Sequence, residues 1–224
     1  MDNNLKEANK LKALRTIKAL DKNNIDAIYT ESKEKALEEV KKLISEDSIT
    51  ATGGSATLNE CGIISFLKEK TNYIDRNDPT LTPEEKRKAE LASFDADYYL
   101  LSANALTEHG EIYEVDGNGN RVAALAFGPK NVLIVVGINK IVNSLREATE
   151  RVKHTASPAN CIRLKINSPC AKNGVCVQES FDENHLMCKA TCQDSSICSD
   201  ILIVSHQRKR GRIKVIIVGE ELGY

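Results

Sequence analysis

The sequence predicts an α/β domain, with a mixed, mainly parallel sheet flanked by helices, one hairpin and a cysteine-bearing excursion. Three observations carry this. Strand and helix patterns alternate through the first seventy residues, the mark of a parallel sheet with crossover helices. Asn131-Val-Leu-Ile-Val-Val-Gly137 is a continuous apolar run, as expected of a central strand buried on both faces. Ser48-Ile-Thr-Ala-Thr52 leads into Gly53-Gly54-Ser55 and then a helical pattern, a strand–turn–helix connection.

Taken in order, Leu5, Leu11, Leu14, Ile17 and Leu20 recur at helical spacing and predict an amphipathic first helix with a lysine-rich outer face. Ile25–Thr30 reads as a short strand. Residues 32–45 follow as a helix with Ala36, Leu37, Val40, Leu43 and Ile44 on one stripe. After the glycine turn a helix is expected from about Thr57 to Glu69, where Thr57-Leu-Asn-Glu60 has the spacing of a capping box. Thr82-Pro83-Glu84-Glu85 marks another helix start, running to about Phe94. Asp97–Ser102 is the next strand. Glu111–Val115 and Arg121–Leu125 flank Asp116-Gly-Asn-Gly-Asn120, which reads as a hairpin. Ser144 is placed to cap a helix, and a further helix is expected near 156–166. Ile201–Val204 and Ile213–Val218 close the chain as strands. No repeat or low-complexity linker divides it, so residues 1–224 are expected to form one domain, with the excursion at about 167–199.

Composition narrows the function classes. With 31 Lys+Arg against 32 Asp+Glu, the net charge of −1 gives no global pull toward nucleic acid or anionic membrane. Arg208-Lys-Arg210-Gly-Arg212 is short, and a turn between strands accounts for it. Tryptophan is absent and aromatics are few, which argues against a stacking platform for single strands. The polar amino terminus shows no secretory pattern, and no apolar run approaches the ~20 residues that span a bilayer. A cytoplasmic protein is expected. Seven cysteines are unusual, yet none forms a Cys-x-x-Cys pair, and an odd number in a reducing compartment does not suggest a disulfide framework.

Two segments concentrate chemistry. Gly53-Gly54-Ser55, at the carboxyl end of a strand, suits an anion because glycine admits close backbone approach and a helix start presents unpaired N–H groups. The same pattern also serves as an ordinary βα connection. Neither a dinucleotide fingerprint nor a Walker lysine is present. Ser102-Ala-Asn104-Ala-Leu-Thr107-Glu108-His109-Gly110 gathers an amide, hydroxyls, a carboxylate and an imidazole after a second strand; it reads either as a site wall or as a polar turn.

Together these segments, with Asp116-Gly-Asn-Gly-Asn-Arg-Val-Ala-Ala124, Phe127–Gly137 and Gly211–Tyr224, resemble the lactate-utilisation (LUD) domain family from about residue 10 to the end. The resemblance implies a fold akin to the CoA-transferase and sugar-phosphate isomerase group. It also implies a role in cytosolic oxidation of lactate to pyruvate beside iron–sulfur and oxidoreductase partner proteins. A transferase- or isomerase-type enzyme acting on a small carboxylate, phosphate or CoA ester is the alternative. Carried onto this chain, the resemblance points to Gly53, Gly54, Ser55 and Thr57 on a first loop, with Glu60 inside its helix. Asn104, Thr107 and Glu108 form a second wall. Asn120 and Arg121 lie in the hairpin motif, and Gly128, Lys130, Gly137 and Lys140 bracket the apolar strand. Hydroxyls would hold an anionic metabolite, Glu60 or Glu108 would be the catalytic carboxylate, and Lys130 or Lys140 would balance charge. Homo-oligomerisation is expected from exposed sheet edges. No cofactor is specified. Cys170, Cys176, Cys188 and Cys192 with His185 are the candidate metal ligands, and Cys198 lies close by. Their irregular spacing and the departure from the family pattern after Cys176 assign no metal.

Overall fold

The computed structural model describes residues 2–177 and 190–224. Six strands form a wholly parallel sheet: β1 (Asp26–Thr30), β2 (Ile49–Thr52), β3 (Asn72–Ile74), β4 (Tyr98–Leu101), β7 (Asn131–Gly137) and β10 (Ile213–Val218), in the order β1-β10-β7-β4-β2-β3. A second sheet has the order β8-β5-β6-β9, from β5 (Ala105–Thr107), β6 (Ile112–Asp116), β8 (Ile141–Val142) and β9 (Asp200–Val204). β6 runs antiparallel to both its neighbours, and β5 and β8 are parallel.

The apolar run of β7 fills both faces of the main sheet, as a central parallel strand must. Val132, Ile134 and Val136 pack with Ala13 and Leu20 of α1 (Asn3–Lys22) and with Leu106 and Ile112 of the second sheet. Leu133 and Val135 face the other way, onto Ala36 and Val40 of α2 (Lys33–Leu43) and onto Leu58, Ile63 and Leu67. A helix and a second sheet therefore cover one face, and helices cover the other.

Local signals explain most boundaries. Ser32 accepts a hydrogen bond from the Lys35 N–H at the start of α2, and Ser144 does the same for Glu147 in α7 (Leu145–Arg151). Thr82 and Glu85 form a capping box at α5 (Pro83–Ala92). The helix expected from Thr57 to Glu69 is two segments, α3 (Ala56–Glu60) and α4 (Ile63–Lys70), because Gly62 between them adopts φ +69°. Its cap is Ser55, not Thr57: the Ser55 hydroxyl accepts from the Leu58 N–H, whereas Glu60 accepts from the distant Gly223 N–H.

The hairpin is displaced from its expected place. It joins β5 to β6, upstream, and Arg121–Leu125 lies within a helix, α6 (Asn120–Ala126). Asp116 decides this, since its carboxylate accepts from the N–H groups of Arg121 and Val122 and so caps the helix across the glycine turn. The basic cluster is structural as expected, though it joins strands of different sheets. Arg210 pairs with Asp21 and Asp26, and Arg212 donates to the Ala124, Leu125 and Pro129 carbonyls at the end of α6. The helix near 156–166 is α8 (Ser157–Arg163), continuous with a π-helical turn over Val152–Ala156, and is followed by α9 (Pro169–Asn173).

Candidate functional site

The main sheet places a cleft of about 760 Å³ at the carboxyl ends of β2, β3, β4 and β7. β2 has β3 on one side and β4 on the other, so the chain reverses direction across the sheet at this point, where ligands of open α/β sheets bind. Gly53 and Gly54 follow β2, Arg76 follows β3, Ser102 and Asn104 follow β4, and Lys140 follows β7. Arg121 and Asn120 enter from α6, and Arg163 from α8.

Six basic side chains line this cleft, Lys68, Arg76, Lys86, Arg121, Lys140 and Arg163, against Asp75, Asp116 and Asp194. A Cβ placed on Gly54 would lie 3.8 Å from one Arg76 guanidinium nitrogen and 4.0 Å from one of Arg163. Two guanidinium groups thus converge on the exposed glycine turn. A Cβ on Gly53 would stand 2.8 Å from Arg121 Cδ, so the glycine makes room for that arginine.

Lys140 is the most unusual group. It is 3% exposed, and its ammonium donates to the hydroxyls of Thr57 and Ser102, each at 3.0 Å. Burial, with the nearby Arg151 cation, lowers its pKa from 10.5 to about 7. Glu114 of β6 is the complementary oddity. Arg121 Nη1 stands 3.2 Å from its Oε2, yet neither carboxylate oxygen accepts a hydrogen bond. Burial raises Glu114 to about 7 against the attraction of Arg121 and Lys140. The ion-pair distance therefore overstates the stabilisation, since loss of water outweighs it.

Of the residues expected from sequence, Gly53, Gly54, Ser55, Asn104, Asn120, Arg121 and Lys140 line the cleft together. Thr57 is one layer behind, fully buried beneath Lys140. Asn104 is held in place, its side-chain oxygen accepting from Val115 N–H and Arg121 Nη2. The rest lie elsewhere. Thr107 donates to Glu111, and Glu108 pairs with Arg15 of α1 at 2.9 Å, away from the cleft. Glu60 anchors the carboxyl-terminal tail through Gly223, and Lys130 is exposed beyond the lining residues. Gly128 packs on the Ala124 backbone, and Gly137 leaves space for the tail at Glu220 and Leu222. Glu114, Arg76 and Arg163 are not singled out by the sequence. For Glu114 the available signal is a glutamate inside the apolar strand Ile112-Tyr-Glu-Val115, a pattern that usually marks a solvent face.

Among the described residues, no three Cys, His, Asp or Glu side chains are already grouped as metal ligands, and no helix is long and apolar enough to cross a membrane. Cys188 and His185 lie outside the described residues.

A family model described as the LUD domain matches residues 13–218. Among solved structures, the chain is similar to the crystal structure of a DUF162 family protein from Deinococcus radiodurans. The identity is 15% and the TM-score 0.50, over 94% of this chain and 98% of that one. No curated protein matches in sequence.

Proposed function

Since the chain belongs to the LUD (lactate-utilisation) domain family, we propose that its cleft binds a small organic anion and that the protein serves lactate utilisation as a ligand-binding component beside separate redox proteins. The observation that carries this is the convergence of Arg76, Arg121, Lys140 and Arg163 on one cleft at the strand ends. Guanidinium groups suit carboxylates and phosphates because their paired N–H groups match two oxygens at once. The test is thermal denaturation with L-lactate, pyruvate, phosphate esters and a CoA thioester, in the wild type and in Lys140→Met. A ligand at about 100 times its dissociation constant adds about 2.7 kcal/mol, and that gain should shrink in the variant. If no anion stabilises the protein, or if the variant responds equally, the reading fails.

A second reading, an isomerase- or transferase-type enzyme, is favoured by one observation: Lys140 lines the cleft, and its burial lets it give and take a proton near neutrality. In this reading Lys140, rather than Glu60 or Glu108, exchanges a proton with the bound ligand. Deuterium uptake from solvent at the carbon beside the ligand's carbonyl would support it. Undiminished uptake in Lys140→Met would exclude it.

A further inference from the structure

Five of the six described cysteines meet at one place. Cys161 of α8, Cys170 of α9, Cys176 just beyond it, and Cys192 and Cys198 ahead of β9 line a single cavity of about 20 Å³. Cysteine is a small hydrophobe that often fills cores singly, as Cys61 does on the far side of the main sheet. Five from four separate parts of the chain around one small void is a different arrangement. The four outer ones fall into two arms of equal spacing, Cys170-x5-Cys176 and Cys192-x5-Cys198, separated by the chain between them.

We propose that this cavity is a thiolate site for one soft or borderline divalent cation of the zinc type, with Cys170, Cys176, Cys192 and Cys198 as ligands. The chemistry fits first: thiolates select zinc-class ions over hard cations. Size fits second. A void near 20 Å³ exceeds the roughly 10–15 Å³ that one water-sized sphere needs, so it holds one ion and is too small for an organic ligand. The surroundings fit third. Ser157 Oγ lies 3.0 Å from Cys198 Sγ, and Ser168 Oγ lies 3.3 Å from Cys170 Sγ, so each hydroxyl is placed to donate to a thiolate. Cys161 stands behind Cys170, sulfur to sulfur at 3.7 Å, and backs the ligand. These cysteines line the void, but among the described residues no three side chains stand close enough together to hold an ion as they are. Binding draws them in to about 2.3 Å from the ion, and each thiol that binds releases its proton.

The site has a consequence for the cleft. Ser195, Ser196 and Ile197 line both the thiol cavity and the main cleft, and Ile197 Cα sits 3.0 Å from the Cβ position of Gly117. An ion tying Cys192 and Cys198 to Cys170 and Cys176 fixes that shared wall between them.

The experiment is anaerobic titration of the reduced full chain with Co²⁺, followed by displacement with Zn²⁺, alongside metal analysis of the purified protein. Sulfur-to-cobalt charge-transfer absorption saturating at one ion per chain and lost on adding zinc is the expected result. Zinc should also protect cysteines of the unaltered protein from a thiol reagent, a readout that requires no variant. The Cys176→Ser/Cys192→Ser double variant should lose the absorption, while Cys61→Ala retains it. Absence of the absorption together with unchanged thiol reactivity in zinc overturns the proposal, as does absorption that persists in the folded double variant.

Discussion

Replacing Glu114 by glutamine keeps the shape of the side chain and removes only its capacity to ionise. Glu114 has no exposed surface, and Arg121 lies beside it at 3.2 Å without a hydrogen bond to either oxygen. In the unfolded chain this carboxyl ionises near 4.5, and in the folded protein near 7. The folded state therefore holds the extra proton between those values, and stability falls as pH rises from 4.5 through 7. At about 1.4 kcal/mol per pH unit, the loss amounts to about 3 kcal/mol once the group is fully ionised. Glutamine abolishes this slope. It also buries an amide that lacks partners, an offset of about 1–2 kcal/mol that does not vary with pH. Glu114→Gln is thus expected to be the less stable protein near pH 4.5 and the more stable one near pH 8, with the two curves crossing at about pH 5–6, where the wild type's loss equals that offset. Urea denaturation at several pH values measures this, provided the dependence on denaturant is the same for both proteins. A stability difference that stays constant with pH would refute the reasoning, because it would mean that the Arg121 pair keeps Glu114 ionised at its ordinary acidity.

The same geometry fixes the outcome of four other perturbations. Lys140 is an ammonium below about 7 and an amine above it, so calorimetric affinity for a carboxylate ligand should fall about tenfold between pH 6 and pH 8; Lys140→Met should bind weakly at both. Gly53→Ala displaces Arg121, whose Cδ would stand 2.8 Å from the new methyl, and should weaken anion binding; because Arg121 also donates to Asn104 and Val115 and faces buried Glu114, the melting temperature should fall as well. Gly128→Ala meets the Ala124 backbone at 2.7 Å and 2.8 Å and should cost about 1–3 kcal/mol of stability without altering affinity. Glu108→Gln breaks only the outward pair with Arg15; stability should change by less than about 1 kcal/mol, and ligand affinity should not change.

The sequence makes legible whatever neighbouring residues decide among themselves. β7 announces itself because a doubly buried strand needs an unbroken apolar run, β10 because Val215–Val218 is one, and α5 because Thr82, Pro83 and Glu85 satisfy its first turn locally. The misplaced hairpin shows the limit. Asp116-Gly-Asn-Gly-Asn120 has turn chemistry in either outcome, and the residues after it decide: Arg121-Val-Ala-Ala-Leu-Ala126 contains three alanines, the strongest helix former. The spacing of Thr57 and Glu60 reads as a cap, but the partner of Glu60 is Gly223, 163 residues away, which no local spacing reveals. The cleft obeys the same rule. Its glycine loop is visible because glycine is conspicuous, whereas Glu114, Arg76 and Arg163 acquire meaning only when β6, β3 and α8 are brought around it.

The charges at the cleft floor suggest why those distant elements converge. Arg121 and Lys140 are both associated with Glu114, and Arg151 donates to the Asn104 and Asn139 carbonyls rather than to a carboxylate. Glu114 thus stands among three largely buried basic groups, with Asp116 also acting on it and Glu60 acting on Lys140. Guanidinium groups stay charged, so Glu114 and Lys140 are the members able to relieve the cost by shedding charge, and burial drives both toward neutrality. Under the proposed function, an anion entering from the cleft would add negative charge beside Lys140. It would favour the protonated form of Lys140, whose burial otherwise favours the neutral amine. A fold selected for stability alone would fill that position with apolar side chains at less cost. The retention of Lys140 beneath an open, arginine-lined cleft is therefore an argument for a ligand rather than for packing.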